Sequence, residues 1–419
     1  MEKTLLNKEW AAIDIGTTKI CVLIAKLNEK GDIEILGIGH NPSHGLKKGV
    51  VVDINSTVES IKSAVASAEK MAGTKINNAI VGISGGHVQS FNSQGVVAIR
   101  HGEVGQEDID RVIESAKTIH IPKDREILHI LPQYFKVDGQ QFIKDSSGMS
   151  GVRLESQVHI ITGSVSSASN IIKCCEDAGI IVSDIVLETL ASAEAVLSKE
   201  ERELGVGVVD IGGGTSDFAI YKDGRILHSK VLPVAGNLFT RDLAIGLKIS
   251  LDRAEDIKRK YGFVSSKQPF TSSQDFSNID LGYGNDGQAL DPYALYEVLQ
   301  PRAQEAFEFI VDDVIDFNLR PFMPFGLVLT GGGSLLGGIK ELASEVFGMP
   351  TRLGRPQNNL NSQGESFVPD VLKSPVYSTG YGLLIYASRG KDLTLAQSSS
   401  GPLVSRVCKR MKSWLYDFF

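Results

Sequence analysis

Two stretches of the chain share one pattern of apolar and polar positions. Trp10-Ala-Ala-Ile-Asp14-Ile-Gly16 is an apolar run closed by an acid and a glycine, which predicts a buried strand entering a tight turn. Thr17 to Lys26 resumes with strand-like apolar residues, Asn28 to Asp32 is a polar turn, and Ile33 to Ile38 predicts a third strand. The order recurs at Val206 to Gly214, Thr215 to Tyr221 and Arg225 to Val234, with Asp223-Gly224 between the last two runs. Asp-Gly between alternating apolar runs is a strong hairpin signal. Each copy reads as strand, glycine turn, strand, hairpin turn, strand. The repeat predicts two similar α/β domains that face each other.

Helical spacing fills the intervals. Apolar residues recur three and four apart over 58–71, 106–116, 167–178, 187–197 and 251–260, and over a longer stretch at 292–317. Residues 87–99 read as a strand. Leu327 to Thr330 is a short buried strand that runs into Gly331-Gly332-Gly333 and a helical pattern at 336–347. Residues 265–288 and 355–369 are polar and read as loops or exposed hairpins, and 391–401 is a Ser-rich linker.

Composition narrows the function classes. At 42% hydrophobic and 22% charged, the chain has the balance of a globular protein with a full core. A net charge of −7 argues against broad nucleic-acid binding. Four cysteines, two of them neighbours, make neither a disulfide framework nor a zinc site. The first ten residues lack the apolar core of a signal peptide, and no stretch is apolar enough to span a bilayer.

Two local matches mislead. Gly82-Ile-Ser84-Gly-Gly86 fits a nucleophile elbow, which requires a helix after the turn, whereas a strand pattern follows. Gly282-Tyr-Gly284-Asn-Asp-Gly287 fits a dinucleotide fingerprint but lacks the strand before and the helix after. The turn Asp14-Ile-Gly16-Thr17-Thr18-Lys19 has a sounder logic. Glycine and small hydroxyl residues let backbone N–H groups converge on a phosphate, and Lys19 adds positive charge. Asp14 at the strand end suits a hydrated Mg²⁺. Asp210-Ile-Gly212-Gly213-Gly214-Thr215-Ser216-Asp217 repeats the device with more glycine, and two such loops can grip one polyphosphate from opposite sides. Gly331-Gly332-Gly333-Ser334 adds a flat surface for an aromatic ligand.

These three clusters, in this order, resemble the actin, hexokinase and heat-shock-chaperone superfamily. The resemblance implies two similar actin-like (ribonuclease H-like) α/β domains facing a nucleotide cleft. It gives phosphate contacts to the loops after Asp14 and Asp210, with both acids holding Mg²⁺ through water. Gly331 to Ser334, Gly236 and Asn237 complete the ATP site. Glu188 resembles the acid that orients the attacking water, though an acid is at home in any first helical turn. Glu255 and Lys258 resemble the pair that meets ribose and adenine, and read alone they are an ordinary solvated helical face.

Met149-Ser-Gly-Val-Arg-Leu-Glu155, the 190–197 helix and Tyr381-Gly-Leu-Leu-Ile-Tyr386 narrow the resemblance to the FtsA family of bacterial cell-division proteins. That family implies subdomain 1A at 1–84 (with 163–197 and 376–390), an inserted subdomain 1C at 85–162, 2A at 198–232 (with 303–375) and 2B at 233–302. It implies at most slow ATPase activity, self-assembly into filaments, binding of the C-terminal peptide of the tubulin-like GTPase FtsZ, and contact with other division proteins. The location implied is the cytoplasmic face of the membrane at the division site. A pilus-assembly ATP-binding scaffold and a small-molecule kinase of the same superfamily are the alternatives.

Residues 402–419 are legible without any family. Leu403, Val407, Met411, Trp414 and Phe418 recur at helical spacing, widened by Leu415 and Phe419, while Arg406, Lys409 and Arg410 mostly occupy the other side. The three cations Lys409, Arg410 and Lys412 forbid spanning, and bulky apolar residues opposite cations predict an amphipathic helix lying on an anionic membrane. Each basic residue adds ~1 kcal/mol near anionic lipid. A terminal helix docked on the protein's own core is the alternative.

Overall fold

Each copy of the repeat folds into a five-stranded mixed sheet, and the two sheets have the same spatial order. The structure, a computed structural model, describes residues 9–29, 32–265, 292–357 and 368–389. In the first sheet β1 (Glu9–Ile15), β2 (Lys19–Leu27) and β3 (Ile33–Pro42) form an antiparallel meander. The predicted strand from Thr17 starts instead at Lys19, because Gly16 N–H donates to Lys19 O at 3.0 Å and closes a tight turn. A small hairpin of β4 (Leu46–Lys47) and β5 (Val50–Val51) precedes α1 (Ile54–Ala72). Asp53 caps α1 by accepting from Ser56 N–H at 3.1 Å, and left-handed Gly73 ends it. β6 (Asn78–Ile83) then pairs in parallel with β1.

Between β6 and the next strand of that sheet, the chain builds a second structure. β7 (Gln89–Ala98), α2 (Gln106–Ala116), β8 (Arg125–Val137), β9 (Gln140–Ile143) and β10 (Arg153–Ser164) form an antiparallel sheet in the order β7-β10-β8-β9, covered by α2. Val112, Ile113, Phe135, Leu154 and Ile160 give it its own core. The apolar pattern predicts β7 and α2 but not β8 and β10. Pro132 lies inside β8, and the ladder slips between Gln157 and Val158, opposite Tyr134 and Pro132. A proline and a bulge interrupt the alternation by which a strand is read.

α3 (Val165–Asp177) and β11 (Ile181–Leu187) complete the first sheet, in the order β11-β6-β1-β2-β3. α4 (Glu188–Val196) and α5 (Lys199–Leu204) lead to the second copy: β12 (Val206–Ile211), β13 (Ser216–Lys222) and β14 (Arg225–Leu232). α6 (Gly236–Leu247), α7 (Leu251–Tyr261) and α8 (Pro292–Asp316) precede β15 (Leu327–Thr330). α9 (Ile339–Phe347) and β16 (Thr351–Leu353) finish the sheet, in the order β14-β13-β12-β15-β16. α10 (Ser378–Arg389) returns to the first half, where Tyr381, Leu383 and Leu384 are buried in its core. Phe218, Phe239 and Phe307 centre the second core. Both halves thus show three antiparallel strands and two parallel ones, the α/β architecture that the repeat predicts.

One predicted helix start moves. The glycine cluster after β15 forms a single 3₁₀ turn, Gly332–Leu335, and α9 opens only at Ile339. Gly338 between them has φ 76°, and a Cβ there would lie 2.5 Å from the Ser265 Cβ, so the chain turns before it coils. No α-helix N-terminus therefore opens at Gly331. The linker at 391–401, the amphipathic segment at 402–419, the polar stretch at 266–288 and the Gly282–Gly287 match lie outside the described residues. Among the described residues no helix is long and apolar enough to cross a membrane.

Candidate nucleotide site

Asp14 ends β1 and Asp210 ends β12, and the turns that follow are built alike. Gly212 N–H donates to Thr215 O at 2.9 Å, repeating the Gly16–Lys19 bond of the first copy. The two turns abut. A Cβ on Gly213 would stand 2.4 Å from Thr18 Cγ2, and one on Gly214 would stand 2.3 Å from Thr17 Oγ1 and 2.9 Å from Lys48 Cα. Glycine is required here because the approach leaves no room for a side chain. Gly49 N–H donates to Thr17 Oγ1 at 3.0 Å, which draws the β4–β5 hairpin onto the same junction.

The other predicted residues surround this junction. Gly236 and Asn237 donate their backbone N–H groups to Gly212 O (3.1 Å) and Gly213 O (2.7 Å), so α6 begins on the second turn. Lys258 Nζ on α7 donates to Gly236 O (3.1 Å), Thr240 Oγ1 (2.8 Å) and Glu255 Oε2 (2.5 Å). Burial lowers the Lys258 pKa, against the pull of Glu255. A Cβ on Gly331, whose φ is 80°, would lie 2.1 Å from Asp210 Oδ1, and one on Gly333 would lie 2.3 Å from Ile211 Cγ2. Gly332 by contrast is exposed, and a Cβ there would come no nearer than 3.9 Å to Val376 Cγ2. Ser334 is buried and donates to Gly331 O at 2.7 Å.

Carboxyl groups accumulate beside the turns. Asp14 Oδ2 accepts from Lys19 Nζ at 3.1 Å. Asp210 Oδ2 accepts from Ser192 Oγ and, at 3.1 Å, from Thr379 Oγ1. Glu188 opens α4, and its side chain runs past Gly82, where a Cβ would lie 3.1 Å from Glu188 Cγ. Burial, then the neighbouring acids Asp14, Asp217 and Asp210, push the Glu188 pKa well above the carboxyl range. Burial raises Asp210 as well, opposed by its bond from Ser192, and burial with Asp210 raises Asp217. Burial opposes the Lys19 charge, but Asp14, Cys21 and Tyr377 together outweigh it and raise that pKa. The site holds more acid than it can comfortably ionise without a cation.

Ser84, Ser192 and Thr379 are further neighbours of the site that the sequence does not point to, whereas Asp217 closes the second loop motif without a role assigned to it. Asp217 carries a signal. It faces Asp210 across the β12–β13 ladder, as Cys21 faces Asp14 in the first copy, and like charges directly opposite are unfavourable without a compensating partner. Ser84 stands in the misleading elbow match, followed by β7 rather than a helix.

Comparison with known proteins places the chain. Residues 85–162 match the family described as the SHS2 domain inserted in FtsA, and residues 207–382 match the family described as cell division protein FtsA. The chain is 42% identical over 419 residues to cell division protein FtsA of Pseudomonas aeruginosa, covering 99% of each chain. The chain belongs to the FtsA family of cell-division proteins. The family insert is the α2-covered sheet between β6 and α3. Two solved structures share the fold at 17% identity. They are the PilM–PilN type IV pilus biogenesis complex, with a TM-score of 0.65 over 90% of this chain and 98% of that one, and MreB5 of Spiroplasma citri bound to ADP, with a TM-score of 0.50 over 91% and 96%. The fold of this FtsA-family chain is thus the actin-like one.

Proposed function

We propose that this chain binds ATP with Mg²⁺ between its two five-stranded sheets, and tethers the tubulin-like FtsZ ring to the cytoplasmic face of the membrane at the division site. One observation carries the nucleotide half of this reading: the glycine turns after Asp14 and Asp210 touch, Gly213 on Thr18 and Gly214 on Thr17. Two phosphate-type loops so close can hold one polyphosphate between them.

The acids suit the ion: Asp14 in β1 and Asp210 in β12 stand at equivalent places beside the abutting turns, and Mg²⁺ keeps several of its waters, through which carboxylates can hold it. Among the described residues no three His, Cys, Asp or Glu side chains are grouped to hold a metal directly. Asp14 and Asp210 would hold those waters, and bound Mg²⁺ would supply the positive charge that phosphates and buried acids share. Lys19 would add charge beside the phosphates, Gly331 to Ser334 would form the base's floor, and Glu255 with Lys258 would meet ribose and adenine. Glu188 would orient a water toward the terminal phosphate. Burial and the neighbouring acids raise its pKa, and a bound cation would oppose them; slow ATPase activity at most belongs to the same proposal.

The mechanical half rests on residues 402–419 and on family membership. Leu403, Val407, Met411, Trp414, Leu415, Phe418 and Phe419 would enter the headgroup region, while Arg406, Lys409 and Arg410 face anionic lipid. Self-assembly into filaments would multiply this weak attachment. The subdomain division 1A, 1C, 2A and 2B, the FtsZ C-terminal peptide as partner, and contacts with other division proteins belong to the same proposal. Sedimentation with anionic liposomes, with and without ATP, tests it: the full chain should pellet, and removal of 402–419 or Trp414→Glu should leave it in the supernatant. Pelleting that survives the truncation would refute the tether.

A further inference from the structure

The insert reaches the cleft through a histidine that the site as described does not use. His129 sits within β8, opposite Ile161 of β10, and is 8% exposed. Its Nε2 accepts the backbone N–H of Leu187 at 3.0 Å. Leu187 ends β11, the edge strand of the first sheet, and the next residue, Glu188, begins α4. No side-chain hydrogen bond caps that helix start. The imidazole therefore anchors the backbone immediately before Glu188, while Gly82 leaves the gap through which the Glu188 side chain passes. Burial holds the His129 pKa down to about 4. At neutral pH the ring is uncharged with its proton on Nδ1, and the Nε2 lone pair is available to the amide.

We propose that His129 is a positioning residue: through the Leu187 amide it sets where the Glu188 carboxyl stands, so that the inserted sheet governs hydrolysis without touching the nucleotide. This rests on the reading of Glu188 as the residue that orients the attacking water. The histidine is otherwise an unexpected choice for a strand centre, since an apolar residue would fill the space but could not accept the edge amide. Orientation of a water-activating group is sensitive to small displacements, because a shift of ~1 Å can cost ~100-fold in rate.

The test uses the full chain with His129→Leu, which removes the acceptor, and His129→Gln, whose amide oxygen can restore it. Single-turnover hydrolysis of Mg-ATP, ATP affinity by calorimetry and hydrogen exchange over residues 185–190 are measured for each. His129→Leu should slow hydrolysis by about 10-fold or more while leaving affinity within about 2-fold. It should also speed exchange at the Leu187 amide, and His129→Gln should recover most of both effects. If His129→Leu does not fold, His129→Met takes its place under the same criteria. Wild-type hydrolysis alongside faster Leu187 exchange would overturn the inference. So would a glutamine variant as slow as the leucine one, or a loss of affinity that matches the loss of rate. Glu188→Gln separates the two readings. If it hydrolyses ATP at the wild-type rate, or the wild type shows no turnover, the role of Glu188 falls and this inference with it. If Glu188→Gln is slow and His129→Leu is not, the inference alone fails.

Discussion

Ser84 Oγ lies 2.9 and 2.8 Å from the two carboxyl oxygens of Asp217, a residue 133 positions away in the other half of the chain. It also lies 3.2 Å from Thr215 Oγ1. Ser84 follows β6 of the first sheet and Asp217 sits in β13 of the second, so the bond joins the two halves beside the glycine turns. All three side chains are buried, and a lost partner there is not replaced by bulk water. Ser84→Ala should lower the unfolding free energy of the nucleotide-free chain by ~1–2 kcal/mol in urea titrations. An unchanged midpoint at unchanged slope would show that the contact contributes nothing.

The crowded acids make stability depend on pH in a defined sense. Burial and mutual repulsion raise Asp217, to about 8, and raise Glu188 and Asp210. Their folded-state pKa values lie above the unfolded ones, so the folded chain binds more protons in that interval and gains stability as pH falls. Burial holds His129 at about 4 and, helped by His228, His159 at about 3. Those two act in the opposite sense, removing stability only below the ordinary histidine pKa of ~6.5. Between about pH 8 and 6.5 the carboxyls lead the slope, and the buried thiols of Cys21, Cys174 and Cys175, which burial pushes up, add to it in the same sense toward the upper end. Chemical denaturation should show the nucleotide-free chain more stable at the lower end. Asp217→Asn should flatten that slope and stabilise the chain at the upper end, and Mg-ATP should flatten it for the wild type. Equal slopes in wild type and variant would contradict this picture of the site.

Contact between the turns is a packing claim that a single methyl group can examine. Gly214→Ala would set a Cβ 2.3 Å from Thr17 Oγ1 and 2.9 Å from the Lys48 backbone. Overpacking of this kind costs ~1–3 kcal/mol, and here it would prop the halves apart rather than disturb one core. Small-angle scattering should show a larger radius of gyration and calorimetry a weaker affinity for Mg-ATP. Wild-type values for both would mean that the halves do not close along this seam.

Much of this architecture is visible in the sequence because each half repeats one plan in its own apolar runs, with Asp14 and Asp210 closing equivalent strands. The glycine clusters are visible for the same reason. What escapes is what depends on pairing between distant segments. Asp217 alternates with apolar neighbours like any polar strand residue, and the β12–β13 register turns it toward Asp210. Ser192 and Thr379 reach Asp210 from α4 and α10, neither adjacent in sequence. The Gly-x-Ser-x-Gly match misleads because its residues serve other ends: Gly82 clears space for Glu188, Ser84 bridges to Asp217, and Gly85, at φ 143°, turns the chain into the insert. In β8 the bulge that hides the strand is Gln133 itself, next to Pro132, and its Nε2 donates to Ile226 O and Leu227 O of β14, at 3.0 and 2.9 Å. The irregularity that defeats the pattern is where the insert grips the second half.

Calorimetric titration of ATP into the wild type and Gly332→Asp, each with Mg²⁺ and with chelator, tests the central claim most directly. Gly332 faces open space, and the nearest atom a Cβ there would meet is Val376 Cγ2 at 3.9 Å, so an added carboxylate should spare the fold and repel the nucleotide. The expected result is a single ATP bound per wild-type chain, dependent on Mg²⁺ and abolished by Gly332→Asp. Equal affinity in the folded variant, or binding indifferent to Mg²⁺, would contradict it.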